Sequence, residues 1–313
     1  MTDTVLLARR LLRRARASWL AAAAAALVVT PWIVRQGVGE LETIDTSPLG
    51  AVADAYVPGD VVRPVRNVTP GRHLGFDTSI YPGDRTLRRW RDAGAPYEWV
   101  GFYLPAPCHK DASWSGKRET IAGLGYGMAV VYVGQQTWGR TPRPAAAARA
   151  ERAGMRCTAD FVSGPRGVQE GRDAIVRTRA EGFAHGTIVY LDVERMERMP
   201  PAMRDYYRAW TRTLLADGRY VPGVYVHAHN ARTVHADLVA EYRAAGRADE
   251  PPMWVASGRG FHREAAPTDV GHHYAGVWQG ILDVVEHHGG VGLPIDVNVA
   301  SVPSPSERYA LSD

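Results

Sequence analysis

From His73 onward the chain alternates short apolar runs with amphipathic stretches, and this rhythm limits the possible folds more than any other feature. The runs are "HLGFDTSI", "YEWVGFYL", "GMAVVYVG", "TIVYLDVE", "VPGVYVHA", "PPMWVASG", "YAGVWQG" and "LPIDVNVA". Each has the length and the β-branched and aromatic content of a buried strand. Helical patterns lie between them. In "MPPAMRDYYRAWTRTLLADG", Met203, Tyr206, Tyr207, Trp210 and Leu214 recur at steps of three and four, which makes one buried face. The Met-Pro-Pro opening suits a helix start and Gly218 its end. "ARTVHADLVAEYRAAG" repeats the device with Val234, Leu238 and Tyr242. Strands alternating with helices imply a parallel sheet. Eight such units in roughly 240 residues imply an α/β fold of the (β/α)8 TIM-barrel type. The last three strands have short connections with little helix, which predicts distortion on that side.

The organisation expected from the whole chain is a leader over 1–34, a linker or extended arm over 35–72, the barrel over 73–302 and a tail over 303–313. "ARRLLRRARA" precedes the uncharged run "SWLAAAAAALVVTPWIV". A basic segment before an apolar one is the pattern of an export signal. Retained arginines would orient the rest of the chain outward. Arg9-Arg10 and Arg13-Arg14 admit a twin-arginine reading, although the residues after them fit that consensus poorly. No Ala-x-Ala site follows closely, so a cleaved signal peptide and a signal anchor both stay open. The expected location is outside the cell, in the wall or anchored to the membrane through this segment alone.

The formal net charge of +4 first suggests an acidic partner. Arg9, Arg10, Arg13, Arg14 and Arg16 against Asp3 already account for +4, so the remaining 279 residues sum to zero. A nucleic-acid partner would need a basic face on the folded part, and none is indicated. Cys108 and Cys157 are an even pair in an exported chain and predict a disulfide. It would close a loop of about 50 residues and contribute about 3–4 kcal/mol.

The chemistry is carried by acids. "IVYLDVERM" places Asp192 and Glu194 one residue apart at the end of an apolar strand. Strand side chains alternate faces, so the two point the same way with Cβ atoms roughly 6–7 Å apart. Asp77 ends the first strand in "GFDTS", and Asp296 lies in the eighth, in "IDVN". The C-terminal ends of barrel strands carry the chemistry, so all four acids can face one pocket. Two close carboxylates push their pKa values apart, and one can stay protonated as a general acid. Acids on a single strand suit the substrate-assisted form of glycosidic cleavage, with Glu194 as acid/base and Asp192 orienting a sugar acetamido group. A structural polar network that holds arginines is the alternative.

Tyr103, Tyr132, Tyr225, Trp254 and Trp278 sit near the ends of predicted strands and suit the apolar C–H faces of sugars. Gln279, and Asn298 two residues after Asp296, could bind hydroxyls. Core filling accounts for at least half of these aromatics. His227-x-His229, His272-His273 and His287-His288 lack a third ligand at metal-site spacing, so neither a metal nor a cofactor is expected. "GLGYG" at 123–127 follows a helix, which argues against a phosphate loop.

"GFDTS", "YLDVE", "WVAS", "WQG" and "IDVN", in this order and at barrel spacing, resemble glycoside hydrolase family 25 lysozymes. They look closer still to the secreted glycoside-hydrolase-like domains of actinobacterial cell-wall proteins. The resemblance covers about residues 72 to 302. It implies that Asp77, Asp192, Glu194 and Asp296 line an active site, that Glu194 donates the proton, and that the substrate is peptidoglycan glycan. The chain departs from the lysozymes at Gly280, where they usually carry an aromatic. It departs again in "CHKDASWSGKRE" and in "QQTWGRTPRPAAAARAERAGMRC", two loops that would remodel the cleft. The expected activity is that of an exported, monomeric glycoside hydrolase acting on a cell-wall polysaccharide. The alternatives are a non-catalytic glycan-binding envelope protein on the same fold, or a structural envelope protein.

Overall fold

The computed structural model describes residues 66–68 and 71–311. The leader and most of the linker lie outside the described residues, as does Thr69 of Asn67-Val68-Thr69, a formal glycosylation sequon in the sequence. No helix among the described residues is long and apolar enough to cross a membrane.

All eight apolar runs form strands of one closed barrel. In chain order the strands are β1 (Arg66–Val68), β2 (His73–Asp77), β3 (Trp99–Tyr103), β4 (Gly127–Tyr132), β5 (Ile188–Val193), β6 (Val221–His227), β7 (Met253–Ala256), β8 (Ala275–His288), β9 (Val291–Ala300) and β10 (Tyr309–Leu311). The barrel order is β2 to β9, and β1 pairs with β10 in a separate two-stranded sheet. β2 to β8 run parallel, as the rhythm predicts. β9 does not: it is antiparallel to both β8 and β2. Only Gly289 and Gly290 separate β8 from β9, and a two-residue connection can join only antiparallel strands. This is the distortion that the short connections between the last strands predict.

The helices are α1 (Asp84–Asp92), α2 (Arg118–Gly123), α3 (Ala147–Arg152), α4 (Gly164–Ala180), α5 (Pro201–Asp217) and α6 (Ala228–Ala244). α5 buries Met203, Tyr206, Tyr207, Trp210 and Leu214 and stops at Gly218, the face and the end the spacing predicts. α6 buries Val234, Leu238 and Tyr242. Where a last helix would pack, the β8–β9 hairpin covers the outside of the barrel. Its tip rests on α1: Trp90 Nε1 donates to Val291 O at 3.0 Å, and the His288 ring meets the Trp90 ring edge-on at 4.8 Å.

The barrel interior is aromatic. Trp254 contacts Trp99 and Tyr190 edge-to-face, each at 5.7 Å between ring centroids, and Tyr225 at 5.4 Å. Rings of this size need small neighbours on the adjoining strand, and Gly75 of β2 is the register partner of Trp99 in β3. A Cβ on Gly75 would stand 2.1 Å from the Trp99 ring, so only glycine fits there. Each polar handle in this layer is satisfied: Trp99 Nε1 donates to His73 O, Trp254 Nε1 to Asn298 Oδ1, and Tyr190 Oη to Pro305 O. At the base, the chain after β9 wedges between β4 and β5. Ser306 N donates to Met128 O at 2.9 Å, and Ile188 N donates to Ser306 O at 2.8 Å.

Candidate active site

The chain places a cluster of acids at the mouth of the barrel, at the C-terminal ends of the parallel strands. Asp77 ends β2 and lies in register with Asp296 of β9. Because β9 runs the other way, Asp296 reaches this level from mid-strand rather than from a strand end. Asp192 lies in β5, and Glu194 follows just beyond its last residue. The four acids, with Tyr103, Val131, Tyr225, Trp254 and Gln279, line one cavity of about 100 Å³. A larger cavity of about 510 Å³ opens at the opposite end, among Glu98, Met128, Thr187 and Pro303. Size favours that one, but the convergent carboxylates favour the mouth, and the chemistry follows the carboxylates.

Asp77 is buried and fully partnered. Tyr103 Oη donates to its Oδ1 at 2.7 Å, and Gln279 Nε2 and Asn298 Nδ2 donate to its Oδ2 at 2.8 and 2.9 Å. Gln279 is oriented in turn by Tyr225, whose hydroxyl donates to Gln279 Oε1 at 2.6 Å. Burial pushes the Asp77 carboxyl above its ordinary range, and these three donors pull it part of the way back. Asp296 Oδ1 accepts the backbone N–H of Asp283 at 2.6 Å, where Asp283 bends the β8–β9 hairpin with a φ of +53°.

Asp192 is held differently. Its Oδ1 is buried without any hydrogen-bond partner. Burial, then Glu194, then Asp77 hold this carboxyl well above its ordinary range. Glu194 is open to solvent on one side and crowded by protein on the other. Burial raises it, and the Arg195 backbone N–H lowers it again. Of the four acids at the mouth, Asp77 is thus fully donated, Asp296 accepts a backbone N–H, Asp192 Oδ1 is undonated and Glu194 stands at the rim. Separating the environments of neighbouring acids in this way is how acid and base roles are divided.

Parity along each strand decides which predicted residues arrive. Tyr103, Tyr225, Trp254 and Gln279 sit at inward positions and line the cavity. Asn298 lies just beneath, fully buried, where it joins Trp254 to Asp77. Tyr132 and Trp278 are one residue out of phase and point away from the mouth, which corrects their expected place in the pocket. Tyr132 is buried under the helices and donates to Asp173 of α4 at 2.8 Å. Trp278 packs with Phe261, Ala265 and Val299. His227 and His229 do not share a strand face either. The strand ends at His227, which caps α6 by accepting the His229 N–H.

Two features of the site are not visible in the strand pattern. Gln136, just past β4, clamps the acid pair: its Nε2 donates to Asp192 O at 2.8 Å, and its Oε1 accepts the Glu194 N–H at 3.3 Å. The repeated "QQ" before the tryptophan was the only available signal. At Gly280 the missing aromatic is supplied from elsewhere. A Cβ there would lie 1.8 Å from the Phe261 ring, which comes from the loop after β7 and meets Trp278 edge-on at 5.0 Å. Cys108 and Cys157 form a disulfide that ties the loop after β3 to the loop after β4.

The profile of the family described as "Rv2525c-like, glycoside hydrolase-like domain" matches residues 88–300. The chain belongs to this family. The matched stretch holds Asp192, Glu194 and Asp296, while Asp77 precedes it. No curated protein is matched. Solved structures with some likeness include an uncharacterized B. stearothermophilus protein, at 18% identity over 73% of this chain and 95% of that one, with a TM-score of 0.49. The Clostridium perfringens spore cortex lytic enzyme SleM is 12% identical over 75% of this chain and 69% of its own, with a TM-score of 0.45. The Mycobacterium tuberculosis Tat-secreted protein Rv2525c, in complex with L-tartrate, is 17% identical over 75% and 97%, with a TM-score of 0.41. Identities this low leave activity unspecified, and membership in the family names a hydrolase-like domain rather than a reaction.

Proposed function

We propose that this protein is an exported glycosidase acting on a cell-wall glycan, with Glu194 as acid/base and Asp192 as the group that orients the substrate. The observation that carries the reading is the undonated Oδ1 of Asp192 beside Glu194 in a mouth lined by tyrosine and tryptophan. A buried acceptor without a donor is costly, so it marks a place for a ligand N–H. A sugar acetamido N–H has that chemistry.

Burial raises both the Asp192 and the Glu194 carboxyl, and Glu194 raises Asp192 further, so the pair can share one proton. Accepting an acetamido N–H favours the ionised form of Asp192 and leaves the proton for Glu194. The acetamido oxygen then attacks the anomeric carbon as the glycosidic C–O bond breaks, and Glu194 protonates the leaving oxygen. Water attacks in the second step, and Glu194 takes its proton back. Asp77 and Asp296 line the same cavity, and a carboxylate there favours the developing positive charge.

The test is incubation of the full chain with purified peptidoglycan and related wall glycans, scored by mass spectrometry for new reducing ends. The Glu194→Gln variant runs beside it. Fragments released only by the wild type support the reading, and undiminished release by the variant sinks the assignment of Glu194.

One observation favours a second reading, a module that binds glycan without cleaving it. The cavity of about 100 Å³ is smaller than the roughly 300–1,000 Å³ of sites that enclose their ligands. Retention of wild type and variant on the same glycan, with no fragments, would support it.

A further inference from the structure

Seven tryptophans occur among the described residues, and six of them are fully buried. The seventh, Trp138, is 55% exposed. It stands in the loop after β4, one of the two loops where the chain departs from the lysozyme pattern. Arg140 N donates to Thr137 O at 2.9 Å, which closes a tight turn over residues 137–140. Both central residues of that turn have positive φ, +44° at Trp138 and +76° at Gly139.

Such turns take glycine, asparagine or aspartate at the first central position, because a Cβ there crowds the backbone. Tryptophan is among the least suited residues for it. Held-over strain of this kind clusters at ligand clamps. The base of the turn explains how the strain is held. Gln135, Gln136 and Thr137 are all buried. Gln135 bonds to Glu170 at 2.7 Å and accepts the Thr158 N–H at 3.0 Å, so the loop is anchored to α4 and to the disulfide-linked segment.

The same base fixes where the indole stands. Gln136 bonds to the backbone between the two acids, at Asp192 O and Glu194 N on either side of Val193. Trp138 is two residues further on, no more than about 7 Å along the chain. The exposed ring therefore stands on the loop whose Gln136 side chain clamps the strand that carries the acid pair.

We infer that Trp138 is a stacking platform that grips the glycan outside the cavity and sets which stretch of polysaccharide is presented to the acid pair. The inference rests on the reading of the mouth as a glycan site. The cavity at the acids holds only the surroundings of one bond, so a polymer must find most of its contact area on the rim. An amphipathic indole face matches the C–H face of a hexose ring and loses little entropy on binding. The tight turn presents that face and keeps it from collapsing onto the core.

The test uses the full chain carrying Glu194→Gln, so that the probe is bound and not consumed. A β-1,4-linked N-acetylglucosamine tetramer and soluble peptidoglycan glycan strands are titrated by calorimetry against this parent and against parents that also carry Trp138→Ala, Trp138→Phe or Trp138→Gly. The expected results are a loss of about tenfold in affinity for Trp138→Ala and near-parental affinity for Trp138→Phe. Trp138→Gly is expected to lose affinity while raising Tm by about 2–4 °C, because glycine relieves the turn. A purely structural tryptophan would instead lower Tm in Trp138→Gly and leave the affinity at the parental value. Parental affinity in Trp138→Ala overturns the platform and leaves the glycan reading intact. No binding of either probe by wild type or parent overturns the glycan reading, and the platform with it.

Discussion

Tyr103 donates its hydroxyl to Asp77 Oδ1 across 2.7 Å, from the strand next to the one that carries the acid. Both residues are inward-facing at the cavity, Asp77 buried and Tyr103 half-buried, so the bond is partly withdrawn from water. Burial, then the Asp77 charge, holds the Tyr103 hydroxyl well above its ordinary range, which keeps it a donor at any working pH. Tyr103→Phe removes one of three donors from a buried carboxyl. It should cost about 1–3 kcal/mol, seen as a lower midpoint in thermal or urea denaturation. An unchanged midpoint would mean that Asp77 is protonated and needs no third donor.

Asp77, Asp192 and Glu194 all have carboxyls raised above their ordinary values of 3.8, 3.8 and 4.5. A group whose folded pKa is raised contributes stability that is fully present below the unfolded value and is lost as pH rises through the folded value. The contribution of these three groups is therefore lost as pH rises from about 4 through the raised values. Asp192→Asn removes the most strongly raised of them. Its Tm should exceed that of the wild type at pH 7 and converge with it near pH 4. A variant less stable than wild type at pH 7 would refute the assignment of an unfavourable buried charge to Asp192.

Glu194→Gln should reduce glycan cleavage by roughly 100-fold or more, the usual worth of a general acid. Because Glu194 is at the rim and open to solvent, the same variant should melt within a degree or two of the wild type. The two readouts are reducing-end release and circular dichroism on the same preparation.

The disulfide joins residues separated by 49 positions and ties two mouth loops together. Cys108→Ser with Cys157→Ser should cost about 3–4 kcal/mol by loop entropy. The loop that carries Gln136 and Trp138 loses its tether as well, so glycan affinity should fall with stability. Stability loss with unchanged affinity would show that the Gln135 and Gln136 bonds hold the loop without the bridge.

Gly280 and Phe261 are coupled, since a Cβ at Gly280 would overlap the Phe261 ring. Gly280→Ala alone should destabilise by about 1–3 kcal/mol. With Phe261→Ala in place, the second substitution should cost little, and a double-mutant cycle in denaturant would measure the difference. Additive effects would separate the two positions.

The fold was legible from residue 73 onward because buried strands and amphipathic helices leave different periods in a chain. The eight runs were read as the eight strands now seen in the closed barrel, and the faces of α5 and α6 follow from the spacing of Met203, Tyr206, Trp210, Val234 and Leu238. The pairing of Cys108 with Cys157 followed from their being an even pair in a chain read as exported. The direction of β9 was less visible. Gly289-Gly290 is a hairpin signal, but it lies between runs whose alternation elsewhere means parallel pairing.

Side-chain period along single strands brought Asp192 and Glu194 to one face, and it equally separates Tyr225 and Trp254 from Tyr132 and Trp278, provided each strand's inward register is known. That register is set by contacts between distant strands. The Trp99 ring over Gly75 and the Trp254 bond to Asn298 decide it, and neither is written locally. What the amino-acid order determined by itself was the period of each element and the presence of acids at strand ends. What only the tertiary structure decided was who meets whom: Gln136 against the acid pair, Phe261 in the space above Gly280, and Asp192 Oδ1 left without a donor. Periodicity is a property of the backbone's own geometry, whereas partnership in a closed barrel depends on closure, and closure fixes every strand's neighbours at once.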